Sequence, residues 1–145
     1  MLTVIVETAE AGDRLPALLA ALTSAAVEGL VREVLIAGGP PGLLTVLREE
    51  TGAELSDNLA DALQAARSDR VLVLPAKIRL RRGWLEALAH HLRNGGGEAI
   101  IEGEGGPFRQ RPFGVLLARA PAAALAQPDL KRLRGQLRRG AARLA

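Results

Sequence analysis

Within a chain of 145 residues, Lys77, Arg79, Arg81 and Arg82 bring four cations into six consecutive positions. They come directly after the strand-like run Arg70-Val-Leu-Val-Leu74, so they stand at or just beyond a strand end. Ammonium and guanidinium groups there can clamp a diphosphate by charge-assisted hydrogen bonds, without a metal. The same cluster also suits a solvated turn. A second candidate is Gly38-Gly-Pro-Pro-Gly42, whose backbone N–H groups could cradle a phosphate. Two prolines remove donors and no Lys-Ser/Thr comes after it, so plain turn chemistry is the better account. His90 and His91 are sequence neighbours that diverge by about 100° on a helix, which suits surface or helix-end packing rather than chelation. Asp57 and Asp61 flank a helix start, where they serve as capping and first-turn charge or as sugar contacts.

Other chemistry is excluded by what is missing. No Gly-x-Gly-x-x-Gly succeeds the first strand, which disfavours a dinucleotide. There is no Gly-x-Ser-x-Gly elbow, and Ser24, Ser56 and Ser68 have no evident His partner. The absence of cysteine removes disulfides, thiolate metal sites and a cysteine nucleophile.

The elements that must position these residues alternate. Thr3–Val6, Glu33–Ala37 and Arg70–Leu74 read as buried strands, with a shorter one at Ala53–Leu55 and two more at Glu98–Glu102 and Phe113–Ala118. Leu15, Leu18, Leu19 and Leu22 recur at helical spacing after Asp13, a candidate N-cap, with Pro16 in the first turn. Further helices are expected at Leu43–Leu47, stopping at Gly52, then at Asn58–Arg67 and Trp84–Arg93. Pro121–Leu144 reads as helical, interrupted at Pro128, Gly135 and Gly140, with a stripe of Leu130, Leu133, Leu137 and Leu144. Uniformly apolar strands alternating with helices predict an α/β fold, three layers with a mostly parallel sheet and helices on both faces. Ligands of such folds bind beyond the carboxyl ends of the strands, which directs attention to Glu7–Asp13, Gly38–Gly42 and Pro75–Arg82.

Composition bounds the function. The chain is 48% hydrophobic with only three aromatic residues, Trp84, Phe108 and Phe113, which supports one folded domain and argues against base-stacking nucleic-acid binding. No apolar run reaches the roughly 18 residues of a membrane span, and the N-terminus lacks a basic signal region, so a cytoplasmic protein is expected. Residues 1–106 carry 10 basic and 15 acidic groups, a net of −5, whereas residues 107–145 carry nine basic groups and Asp129, a net of +8. The basic segment suits a solvated face, a protein partner or second copy bound through residues 121–145, or peripheral membrane contact by Lys131–Arg143.

The order of Thr3–Val6, Val31-Arg-Glu-Val-Leu-Ile-Ala-Gly-Gly39, Ala65-Ala-Arg-Ser-Asp-Arg-Val-Leu-Val-Leu74 and Ile78-Arg-Leu-Arg-Arg-Gly-Trp-Leu-Glu86 resembles the family-2 glycosyltransferases. The resemblance covers about residues 2–90, with an echo at Gly114-Val-Leu-Leu-Ala-Arg119. It implies a GT-A-like, Rossmann-like domain over residues 1–120, with 121–145 as a basic helical segment on or beside it. It also implies binding of a nucleotide diphosphate or sugar nucleotide, with Thr8, Glu10, Gly38, Gly39, Lys77 and Arg79 as candidate contacts. Where that family writes Asp-x-Asp, this chain has Pro75, Ala76 and Lys77, so no metal ligand and no divalent cofactor are expected. Gly38 takes the place of a nucleoside-binding Asp, and Asp129 is the one candidate for a late catalytic base. The expectation is a glycosyltransferase-like protein with its metal-binding acids lost; the alternative is a non-catalytic binding or assembly protein that uses the scaffold and the basic C-terminal helix.

Overall fold

Five consecutive residues of the first strand, Leu2–Val6, have both faces buried, and that double burial organises the domain. The computed structural model describes residues 2–8, 15–38, 49, 53–105, 112–137 and 141–144. In chain order the elements are β1 (Leu2–Glu7), α1 (Leu15–Val27), β2 (Val31–Ala37), β3 (Glu54–Ser56), α2 (Leu59–Ala65), β4 (Arg70–Pro75), α3 (Trp84–Arg93), β5 (Ala99–Glu102), β6 (Phe113–Ala118), α4 (Arg119–Ala123), α5 (Leu130–Gly135) and β7 (Ala142–Leu144). One seven-stranded sheet runs in the order β3-β2-β1-β4-β6-β5-β7. Among the described residues, the pairings set β6 antiparallel to β4 and β5, while the other ladders are parallel.

Alternate side chains of each strand enter different cores, as the period of two requires. Val4, Val6, Leu72, Leu74 and Ile101 face α1 and α3, where Leu18, Leu22 and Leu88 complete one cluster. Ile5, Leu35, Val73, Val115 and Leu117 face α2, α4 and α5, which contribute Leu63, Ala122 and Leu133. The three-layer α/β sandwich read from the sequence is therefore present. Among the described residues no helix is long and apolar enough to cross a membrane.

Local chemistry explains the boundaries. The Asn58 side chain accepts from the Asp61 amide at 2.8 Å, so Asn58 rather than Asp57 caps α2, with Asp61 as first-turn charge. Gly83, at φ +86°, admits the chain to α3, whose last turn carries His90, His91 and Arg93. There His91 Nε2 meets the Gly97 carbonyl at 2.9 Å and His90 Nε2 meets Asn94 Nδ2 at 3.1 Å, the helix-end packing expected of the pair. The Asp13 cap and the Leu43–Leu47 helix lie outside the described residues.

The C-terminal stretch departs from the helical reading. Two short helices occupy it, and Ala142–Leu144 is a strand parallel to β5, with Ala99 opposite Ala142 and Ile101 opposite Leu144. Pro128 and Gly135 bound a helix of only six residues, and the open edge of β5 supplies backbone partners for Ala142–Leu144. Leu144 consequently packs against the α1/α3 core, while Leu130, Leu133 and Leu137 face the opposite one.

Antiparallel β6 lies unusually close to its neighbours at Gly114. A Cβ there would meet Leu74 Cδ2, with Ile101 Cγ2 at 2.8 Å and the Val73 carbonyl oxygen at 2.9 Å. Gly114→Ala should destabilise the domain by about 1–3 kcal/mol, read from urea unfolding midpoints. Gly135→Ala, whose Cβ meets nothing within 4 Å, should not lower the midpoint.

Candidate functional site

The strand order 3-2-1-4 reverses its sequence direction at β1 and β4, and ligands of open α/β sheets bind beyond the carboxyl ends at such a reversal. Glu7 and Pro75 end the two strands opposite each other. One residue further on, the Ala76 amide donates to the Glu7 carbonyl at 2.9 Å, and the Ile78 amide turns back to the Pro75 carbonyl at 3.0 Å. Ala76 and Ile78 are buried while Lys77 is exposed, so the ammonium-bearing residue forms the apex of the turn.

Beyond Lys77 the chain lies across Gly103. Leu80 bridges Gly103, the Glu104 amide donates to the Arg79 carbonyl at 2.8 Å, and Arg81 Nε donates to the Gly103 carbonyl at 3.3 Å. A Cβ on Gly103 would stand 2.6 Å from Ile78 Cγ1 and 2.8 Å from the Arg79 carbonyl oxygen, so only glycine permits this approach. Arg79 faces Glu104 at 4.0 Å and Arg81 Nε is tied to the Gly103 carbonyl, and Lys77, Arg79 and Arg82 are all exposed.

On the other side of β1, Thr8 is 3% exposed and gives both its amide (3.1 Å) and its hydroxyl (2.8 Å) to the Ala37 carbonyl. Gly38 comes next at φ +78°, and its amide donates to the Ser56 carbonyl of β3 at 2.9 Å. A Cβ on Gly38 would stand 3.5 Å from Thr8 Oγ1 and 3.7 Å from the Asp57 carbonyl oxygen. The structure thus brings Thr8, Gly38 and Lys77 to one end of the sheet, with Arg79 beside them. Glu10 and Gly39 lie outside the described residues.

Asp129, the candidate base, accepts from the Arg132 amide at 2.8 Å as the N-cap of α5, and its other oxygen is 3.7 Å from Arg132 Nε. The basic C-terminal segment also forms specific contacts. Arg143 pairs with Glu102 at 2.9 Å, and the Arg134 guanidinium lies 4.8 Å from the centre of the Phe113 ring. Neither the Arg134–Phe113 contact nor the paired bonds of Thr8 to Ala37 has a signature in residue spacing. Pro75, Ala76 and Lys77 offer no side-chain oxygen to a hard cation. Among the described residues, no three His, Cys, Asp or Glu side chains gather to hold a metal.

No protein-family model and no curated protein sequence matches the chain. Solved structures do. A 4-diphosphocytidyl-2C-methyl-D-erythritol synthase from Anaerococcus prevotii is similar with a TM-score of 0.57 and 12% identity, over 93% of this chain and 83% of that one. A 2-C-methyl-D-erythritol 4-phosphate cytidylyltransferase from Thermus thermophilus gives a TM-score of 0.57 at 19% identity, over 96% and 86%. The bifunctional IspDF from Campylobacter jejuni gives 0.54 at 12%, over 90% of this chain and 44% of that one. These likenesses establish the α/β, Rossmann-like fold.

They also correct the resemblance drawn from the sequence. The neighbours are cytidylyltransferases, not family-2 glycosyltransferases, and the reading of this chain as a glycosyltransferase that lost its metal acids falls with that family. The assembly-protein alternative gains no support from them either. The error has a physical origin: both kinds have a GT-A-like fold, and an apolar strand and helix pattern reports the fold rather than the chemistry placed on it.

A capping role for Asp129 makes a distinct prediction. Asp129→Ala should cost about 0.5–2 kcal/mol in unfolding free energy, whereas Asp129→Asn, an equally good cap, should retain nearly all of it. Urea unfolding of both variants checks this.

Proposed function

We propose that this domain binds a nucleoside phosphate at the carboxyl ends of β1 and β4, with Lys77 meeting a phosphate group. The observation that carries the reading is the placement of exposed Lys77 at the apex of the turn where the strand order reverses. An ammonium there supplies a point charge and up to three donors to phosphoryl oxygens. Gly38, turning the chain out of β2 beside Thr8, borders the same end of the sheet. The names of the solved neighbours concern a cytidylyl group, which makes CTP the first ligand to test.

We further propose that binding needs no divalent cation. Cationic side chains succeed β4, and Pro75, Ala76 and Lys77 contribute no oxygen ligand from their side chains. Under this reading the ammonium neutralises phosphate charge directly, as charge-assisted hydrogen bonds do elsewhere.

Calorimetric titration of the protein with CTP, UTP, ATP and GTP, in EDTA and in Mg²⁺, tests both statements. Saturable binding of at least one nucleotide is expected in EDTA, with little change on adding Mg²⁺. Lys77→Ala should weaken it by about 1.5–3 kcal/mol, roughly ten- to a hundredfold, as for loss of a hydrogen bond to a charged group. Arg93→Ala, at the C-terminal end of α3, should leave affinity unchanged. Absence of binding by all four nucleotides at millimolar concentration overturns the reading.

A further inference from the structure

We infer that Thr8 is a positioning residue, whose buried hydroxyl clamps the last peptide of β2 and so sets the wall of the crevice, rather than a ligand of the nucleotide. The inference rests on the nucleotide site proposed above.

The peptide joining Ala37 to Gly38 is held from both sides. Its carbonyl oxygen receives two bonds from Thr8, at 3.1 Å from the amide and 2.8 Å from Oγ1, which occupy both lone pairs. Its N–H donates to the Ser56 carbonyl on β3 at 2.9 Å. The plane of that peptide is therefore fixed between β1 and β3 before Gly38 turns the chain away at φ +78°. An ordinary strand end needs only the backbone bond. The hydroxyl is the additional element, and at 3% exposure it has no face toward solvent from which to meet a ligand. Thr8 lies directly after Glu7, and the Glu7 carbonyl accepts from the Ala76 amide at the head of the Lys77 turn. A single residue thus couples the Gly38 turn to the strand that carries the opposite wall. Loss of the hydroxyl leaves one bond on the Ala37 carbonyl and frees the peptide to rotate, so that ligand contacts beside Gly38 and Lys77 are no longer made from one fixed geometry.

Thr8→Val keeps the shape and removes the donor, while Thr8→Ser keeps the donor. Each variant is measured for CTP affinity by calorimetry, for hydrogen exchange at the Gly38 amide by NMR, and for unfolding midpoint. Leu63→Val, in the same core cluster as Ala37, serves as a control that lowers stability while leaving both Thr8 donors in place. Thr8→Val should raise the CTP dissociation constant about fivefold or more and speed Gly38 exchange, with Thr8→Ser restoring both. Leu63→Val should change neither beyond its effect on global stability. Wild-type affinity and wild-type Gly38 exchange in Thr8→Val would overturn the inference, as would an equal loss of affinity in Leu63→Val. If the unaltered protein binds no nucleotide, the proposed site fails by itself. Gly38 exchange still decides the clamp in that event, since equal rates in the unaltered protein and Thr8→Val reject it.

Discussion

Burial of both faces of β1 and β4 is the constraint on which the rest of this structure depends. Strands covered by helices on either side cannot carry a working polar side chain along their length without a costly burial. Chemistry is thereby confined to the strand ends. At one end the chain gathers Thr8, Gly38, Asp57 and Lys77. At the other, Glu33 accepts from the Arg67 amide at 3.0 Å, and Arg67 reaches toward Glu33 and Glu54 in a network that serves as structure. The carboxyl end, where the strand order reverses, is the candidate site.

The strands are legible in the sequence because their signal is strong where both faces are buried. Val71-Leu-Val-Leu74 can hardly be read as anything but an interior strand, and the breakers around it mark its limits. Leu15, Leu18, Leu19 and Leu22 announce α1 by spacing alone. The last strand is not legible, since Ala142-Arg-Leu144 is too short to show a period and owes its state to the free edge of β5 rather than to its own residues. The site is half legible. Lys77 and Gly38 emerge from asking which residues stand beyond a strand end, whereas Thr8 is singled out within Glu7–Asp13 only by the resemblance. The mode of action of Thr8, however, depends on a bond to a carbonyl 29 residues away, which no local pattern encodes.

The family is misread for a related reason. A sheet order constrains apolar patterning and turn positions over most of its length, and unrelated chemistries on that order inherit the same pattern. Their differences are confined to a few residues at the strand ends, and function must be argued there. In this chain those residues are Pro75, Ala76 and Lys77, and their meaning changes with the family against which they are set.

The placement of β6 has a consequence for how the domain assembles. Among the described residues β5 has no ladder with β4; it is joined to it through β6, which comes later in the chain. β5 therefore has nowhere to dock until β6 is in place, and β7 has no edge to join until β5 has docked. One side of the sheet, β1 to β4, can close in order of synthesis, whereas the other must be acquired as a unit. The seam between β4 and β6, where Gly114 lets two backbones approach, is thus the junction on which the place of β5 and β7 in the sheet depends.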